Sequence, residues 1–259
     1  MSEDKRVLVI PDSHSDPEFS NERYEWLGRL IAEERPPIIV DLGDRCNMHS
    51  LSIYDKGSVV AEGRRYKDDL ASVHEANELM NRATEEMNNK FTMWKKKKYL
   101  PKKVMLTGNH DLRILKAANA TPSLYGHLSL DDLKYEESGW SVFPFLTPFV
   151  HEDVAFSHYF TSGVMGRPIG GEHTTDSLLT KVKMSCVVGH SHLRGFSQVT
   201  DGIGRPMCSL EAGCYFEHDE FYTNENHRFW RGLVMLHEVS SGYFDPEFIS
   251  MKKIKEDYS

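Results

Sequence analysis

Five short apolar runs in this chain each break off into a cluster of Gly, Asp, His and Asn, and that pattern limits the fold more than any other feature. Val7–Ile10 leads into Asp12-Ser13-His14, residues 38–40 into Asp41-Leu42-Gly43-Asp44, and residues 104–106 into Gly108-Asn109-His110-Asp111. Val154–Ser157 leads into His158, and residues 186–188 into Gly189-His190-Ser191-His192. Short runs of β-branched and aliphatic residues bounded by turn formers read as buried strands. Between the first two, Tyr24, Leu27, Leu30 and Ile31 recur at helical spacing, and Pro36-Pro37 stops that helix. The chain therefore opens strand, helix, strand, the start of an α/β fold with a parallel pair. Sites in open α/β sheets form beyond the carboxyl ends of the strands, so clusters distant in sequence are expected to converge.

The rest of the chain fills in this frame. Tyr66, Leu70, Val73, Met80, Ala83, Met87, Phe91 and Trp94 keep three-and-four spacing, which predicts a long helix ending in Lys95, Lys96, Lys97 and Lys98. Those lysines read either as a solvated helix end, favourable at its negative pole, or as a patch that steers phosphates. Residues 140–143 and 232–236 read as further strands, and residues 161–174 as a Gly-rich loop. With no internal repeat and no linker, residues 1–259 read as a single domain carrying a long helical insertion at about 57–98.

Composition excludes several classes. A formal net charge of −8 argues against a protein that coats nucleic acid regardless of sequence, though a local basic face would still serve a nuclease. No apolar stretch approaches a membrane span, and the amino terminus does not read as a secretory signal. The four cysteines form no CxxC pair, as expected of free thiols in a reducing cytoplasm. No membrane partner is expected, and the oligomeric state is left open.

Asp, His and Asn offer oxygen and imidazole nitrogen, donors suited to Mn, Fe, Zn, Ni or Co. Asp12, His14, Asp44, Asn109, His158, His190 and His192 are too many for one four-coordinate ion but suit two ions sharing a carboxylate. In Asp-x-His and His-x-His the alternate residues of an extended segment point the same way. Glycines beside Asp44, Asn109 and His190 allow close backbone approach. Each candidate also has a plainer reading: Asp12 and Asn109 as turn or helix caps, Cys46 and Cys214 as small buried residues, Arg45 and Arg113 as partners of carboxylates. His151 competes with His158, but it precedes its strand instead of closing it.

The order D-x-H, G-D, G-N-H-D, a lone strand-end H, then G-H-x-H resembles the calcineurin-like metallophosphoesterases. The stretch 50–56 after the second block and Asp111-Leu112-Arg113 look closest to the stand-alone bacterial and phage type. The resemblance implies a four-layer α/β/β/α sandwich of two mixed sheets. It implies that Asp12, His14, Asp44 and His192 hold one divalent ion, and Asp44, Asn109, His158 and His190 a second, with Mn²⁺ first choice. It implies His110 as the catalytic residue beside the scissile phosphate, and hydrolysis of a phosphate ester by water activated between two metals. One position departs from many relatives: Asn47 stands where an Asp orients the catalytic His. An amide holds an imidazolium less strongly than a carboxylate does, so Asn47→Asp is expected to raise turnover of poor leaving groups. Asn47, Arg167 and His173 are candidates for contact with substrate, the last two equally readable as solvated loop residues. The expected substrate is a nucleotide or nucleic acid, with Arg64, Arg65 and the four lysines as helpers; a protein or small-molecule phosphomonoester is the alternative, and a non-catalytic scaffold a third reading.

Overall fold

The computed structural model describes residues 4–55 and 57–259. Residues 1–3, in the amino-terminal stretch, and Lys56, the last residue of the 50–56 stretch, lie outside the described residues. In chain order the elements run β1 (Val7–Ile10), α1 (Glu22–Glu34), β2 (Ile38–Asp41), α2 (Tyr66–Met93), β3 (Lys102–Leu106), α3 (Arg113–Ala120), β4 (Ser141–Phe143), β5 (Phe149–His151) and β6 (Val154–Ser157). There follow β7 (Thr161–Ser162), β8 (Arg167–Pro168), α4 (Thr174–Val182), β9 (Ser185–Val188), β10 (Arg194–Thr200), β11 (Pro206–Ala212), β12 (Gly232–Ser240), β13 (Tyr243–Ser250) and α5 (Met251–Tyr258).

Two mixed sheets stack face to face. One has the order β13-β12-β1-β2-β3-β4, with β1 to β4 parallel and β12 antiparallel to both its neighbours, β1 and β13. The other has the order β10-β11-β9-β6-β5, with β6, β9 and β11 parallel. Strand alternation divides the core. Val7, Val9, Val40 and Val104 point towards Phe156, Val187 and Leu210 of the second sheet. Leu8, Ile10, Ile39 and Met105 point the other way, onto Leu27 and Leu30 of α1, Val73 and Met80 of α2, and Ile254 of α5. Cys186 and Val188 on the outer face of the second sheet meet Leu178 of α4. Helices, sheet, sheet, helix: this is the layering that the resemblance implied.

Several elements differ from the sequence expectation. Residues 161–174 are not all loop, because β7 and β8 pair as a short ribbon and Thr174 starts α4. Strands of two residues are too short to show alternation. The strand expected at 232–236 extends to Ser240, past a register shift, and β13 pairs with it along its length. The long helix is present, and Val73, Ala76 and Met80 in its first half are buried; its far end leaves Met93 and Trp94 exposed.

The lysines after α2 lie at the opposite pole from the strand ends that carry the clusters. Tyr99, just beyond them, donates its hydroxyl to Pro36 O before β2 begins, and Lys102 opens β3. Arg64, another expected helper, is buried and paired with Asp16 at 2.6 Å. Among the described residues no helix is long and apolar enough to cross a membrane.

Candidate metal centre

The carboxyl ends of five parallel strands, three from one sheet and two from the other, meet at one place. Asp12 follows β1, Asp44 follows β2, Asn109 follows β3, His158 follows β6, and His190 and His192 follow β9. Backbone bonds lock the first two loops together: Ser13 N and His14 N donate to Asp44 O, and Ser15 N to Arg45 O at 2.7 Å. Two glycines permit the closeness. A Cβ on Gly108 would overlap the Asp44 carboxylate, and one on Gly189 would overlap that of Asp12.

Four of the seven candidate ligands hold left-handed backbone: His14 (φ 40°), Asp44 (φ 53°), His190 (φ 69°) and His192 (φ 60°). That conformation costs a non-glycine residue about 1–2 kcal/mol. Its concentration at one spot marks a place where side-chain aim outweighs backbone comfort.

Among the described residues, three groups of potential ligand atoms, each group within 4.8 Å, run in a chain: Asp12, His14 and His192; then His14, Asp44 and His110; then Asp44, His158 and His190. Asp44 therefore faces both ends. His192 Nε2 lies 3.2 Å from Asp12 Oδ2, and His158 Nε2 lies 3.3 Å from Asp44 Oδ2 and 3.0 Å from Asn109 Oδ1. His158 Nδ1 donates to Leu42 O at 3.0 Å, which aims Nε2 inward.

The electrostatics follow from burying charge. Burial pushes Asp44 up, but His158, His110 and His14 around it outweigh this and hold it well below the ordinary carboxylate range. Burial disfavours a charged His158, yet Asp44 and Asp12 pull it up to about 9. Burial drives His190 down to about 4, with His158 adding to the effect, and takes His110 well below the ordinary imidazole value.

A divalent cation fits this donor set. His14 Nε2 is fully buried and, among the described residues, has no hydrogen-bond partner, although it lies 3.9 Å from Asp44 Oδ2. An unpaired buried ring nitrogen is costly unless something else takes its lone pair. Its other nitrogen, Nδ1, sits 2.5 Å from Glu220 Oε1, the arrangement by which a carboxylate fixes the tautomer of a metal-binding histidine.

Glu220 was missed in the sequence. It lies in a loop between strands and outside every cluster, 206 residues from His14. The flanking His218 and Phe216, which stack on each other beside it, are the only hint the chain offers.

The other singled-out residues fall into place. His110 is buried, its Nδ1 3.1 Å from Asn47 Oδ1 and its Nε2 3.9 Å from Asp44 Oδ2. Arg113 donates to Asn47 O at 2.9 Å and lies 3.4 Å from His110 Nε2, whereas Arg45 is a buried partner of Asp41 away from the ligand atoms. His151 stacks on Phe149 in β5. Arg167 lies exposed on β8 and His173 exposed before α4, and neither side chain bonds to the clustered residues. All four cysteines are free and buried.

Two clefts open beside the centre and share His190. One, of about 180 Å³, is lined by Tyr54, Arg113, Lys116 and Tyr159; the other, of about 360 Å³, by His192, Tyr222, Arg228 and Phe229.

Among solved structures, the nuclease MPE of Pseudomonas putida is 17% identical over 93% of this chain and 87% of that one, with a TM-score of 0.35. A dimetal phosphatase from Danio rerio is 11% identical over 95% of this chain and 96% of that one, with a TM-score of 0.39. Likenesses this distant say nothing about substrate. No curated protein matches the chain. Residues 5–200, a span holding all five sequence blocks, match the profile of the calcineurin-like phosphoesterases, and the chain belongs to that family.

Proposed function

We propose that the protein is a dinuclear metal-dependent phosphodiesterase acting on a nucleotide or nucleic acid. The observation that carries the metal part is the run of three ligand groups with Asp44 common to two of them. Asp12, His14, Asp44 and His192 would hold one ion, and Asp44, Asn109, His158 and His190 would hold the other. When bound, two divalent ions lower the pKa of water and neutralise phosphate oxygens. Mn²⁺ is the first ion to test.

The chain's own residues do the rest. His110, with Nε2 on the Asp44 side, holds the proton for the leaving oxygen. An anionic phosphate beside the ring offsets the burial that disfavours its protonation. Arg113, on the lip of the smaller cleft, supplies a guanidinium to a phosphate oxygen. Glu220 fixes His14, and Leu42 O fixes His158, so both rings present the same nitrogen inward.

The two clefts favour a diester over a monoester. A diester carries a substituent on both sides of phosphorus, and each cleft offers a cation and an aromatic ring: Lys116 and Tyr159 in one, Arg228 and Phe229 in the other. Such pairs suit a backbone phosphate and a stacked base. Turnover of bis(p-nitrophenyl) phosphate should exceed that of p-nitrophenyl phosphate in kcat/KM; the reverse order would favour the monoesterase reading.

Two further outcomes are expected. Glu220→Ala should weaken Mn²⁺ binding at the Asp12, His14, His192 position by about 10–100-fold and spare the other, read as one shifted step in a calorimetric titration. Equal weakening of both steps would make Glu220 a support of the loop alone. On an oligonucleotide, Lys116→Ala with Arg228→Ala should weaken binding and flatten its salt dependence. Replacing Lys95, Lys96, Lys97 and Lys98 with Ala should leave both unchanged, because those lysines lie at the far pole. An effect of the four lysines instead would mean that nucleic acid wraps around the domain.

A further inference from the structure

Asn47 stands beside His110, and the structure places a carboxylate one step further back. Asn47 Nδ2 donates to Asp16 Oδ2 at 3.3 Å, while Asn47 Oδ1 lies 3.1 Å from His110 Nδ1. Asp16 is fully buried. Its other oxygen accepts from Arg64 Nη1 at 2.6 Å and from Glu18 N at 2.9 Å, and His49 Nε2 lies 3.7 Å from Oδ2. The two loops meet in register, with Asn47 N donating to Ser15 O and Ser15 bridged to Cys46.

A paired carboxylate only accepts hydrogen bonds, whereas a primary amide has one end that donates and one that accepts. Facing Asp16, the Asn47 amide must turn its NH₂ backwards and its carbonyl towards His110. The backbone carbonyl of Asn47 also lies 3.2 Å from His110 Nδ1, so that nitrogen meets two acceptors and must carry a hydrogen. Nε2 is then left as the atom facing Asp44 and Arg113.

We propose that Asp16 and Asn47 are positioning residues which together fix the tautomer and ring plane of His110, the Asp16 carboxylate acting through the Asn47 amide. This rests on the reading of His110 as the group that handles the leaving oxygen. The arrangement also reverses the simple expectation for Asn47→Asp. A new carboxylate at that position would face Asp16 across the 3.3 Å now spanned by a hydrogen bond. Two buried like charges at that separation repel, so the exchange damages the site instead of improving it.

The test is a swap. With Mn²⁺ and phenyl phosphate diesters, whose leaving groups need a proton, Asp16→Asn and Asn47→Asp should each lower kcat by about 10–100-fold, with KM and metal content little changed. The double variant Asp16→Asn/Asn47→Asp, which restores one carboxylate and one amide, should recover most of the loss. A merely structural Asp16, serving only to pair Arg64, predicts no recovery. A second readout needs no activity: ¹⁵N spectra of the metal-free protein should show His110 Nδ1 as the protonated, pyrrole-type nitrogen. That state should become mixed in Asp16→Asn, where nothing orients the Asn47 amide, and be restored in the swap.

An Nε2-protonated His110 in the parent protein, or a swap no better than the worse single variant, would overturn the proposal. If Asp16→Asn fails to fold, Asn47→Asp alone decides, since a gain in its turnover contradicts the relay. An inactive parent with the expected ¹⁵N pattern would count against the phosphoesterase reading and leave the relay intact.

Discussion

Asp44→Ala is expected to abolish turnover, by about 10³-fold or more, and to remove both metal ions. The magnitude follows from the several kcal/mol that metal ions contribute to charge stabilisation, at 1.36 kcal/mol per tenfold in rate. Asp44 is the one carboxylate in two of the three ligand groups, so its loss strips a donor from each position. It also removes the carboxylate around which His14, His110 and His158 crowd, now 3.3 Å from His158 Nε2. Asp44 has a structural task as well, since its Oδ1 accepts from His110 N at 2.7 Å. Asp44→Asn separates the two roles, because an amide oxygen keeps that bond while the bridging charge is gone. Metal content by elemental analysis should fall in both variants, and the melting temperature more in the alanine one. Two ions retained in Asp44→Asn would show that the carboxylate does not bridge.

The second large effect is at His110. His110→Ala should lower turnover by about 10²–10⁴-fold while both ions remain, the range typical of general acid catalysis. The loss should be greater for a phenyl ester than for a p-nitrophenyl ester, because a poor leaving oxygen depends more on the proton. Equal losses on the two would assign His110 to stabilising phosphate oxygens instead of protonating the leaving group. His110 also belongs to a ligand group with His14 and Asp44, so metal content is measured alongside turnover. Loss of an ion in His110→Ala would make it a ligand.

Much of the fold and of where the candidate ligands gather was legible in the chain, and the reason is local. A buried strand of four residues followed by Asp-x-His or Gly-His-x-His states both where the strand ends and which donors stand there. The sheet topology then does the gathering, because parallel neighbours put all their carboxyl ends on one side. What could not be read were contacts that depend on how loops cross. Glu220 reaches His14 from a loop near the end of the chain, and Asp16 reaches Asn47 because two strand-end loops run in register. Which of the two readings of the lysines after α2 applies was not legible for a related reason. A helix amphipathic enough to pack on α1 says nothing about which pole of the sheet its end reaches, and that end lies beside the amino ends of β2 and β3. Arg64 looked like a surface cation, but its guanidinium is buried against Asp16. The ribbon of β7 and β8 is not legible in residues 161–174 because Gly163, Gly166, Gly170 and Gly171 dominate that segment.

The central claim is that two ions, bridged by Asp44, are both needed for phosphate-ester hydrolysis. The most direct measurement is a titration of metal-free protein with Mn²⁺, following turnover of bis(p-nitrophenyl) phosphate against bound metal per chain. The account predicts that turnover stays low through the first equivalent and rises with the second, reaching a plateau at two ions per chain. A plateau at one ion would contradict the dinuclear centre, and two bound ions without turnover would mean that the centre is kept for binding and not for hydrolysis.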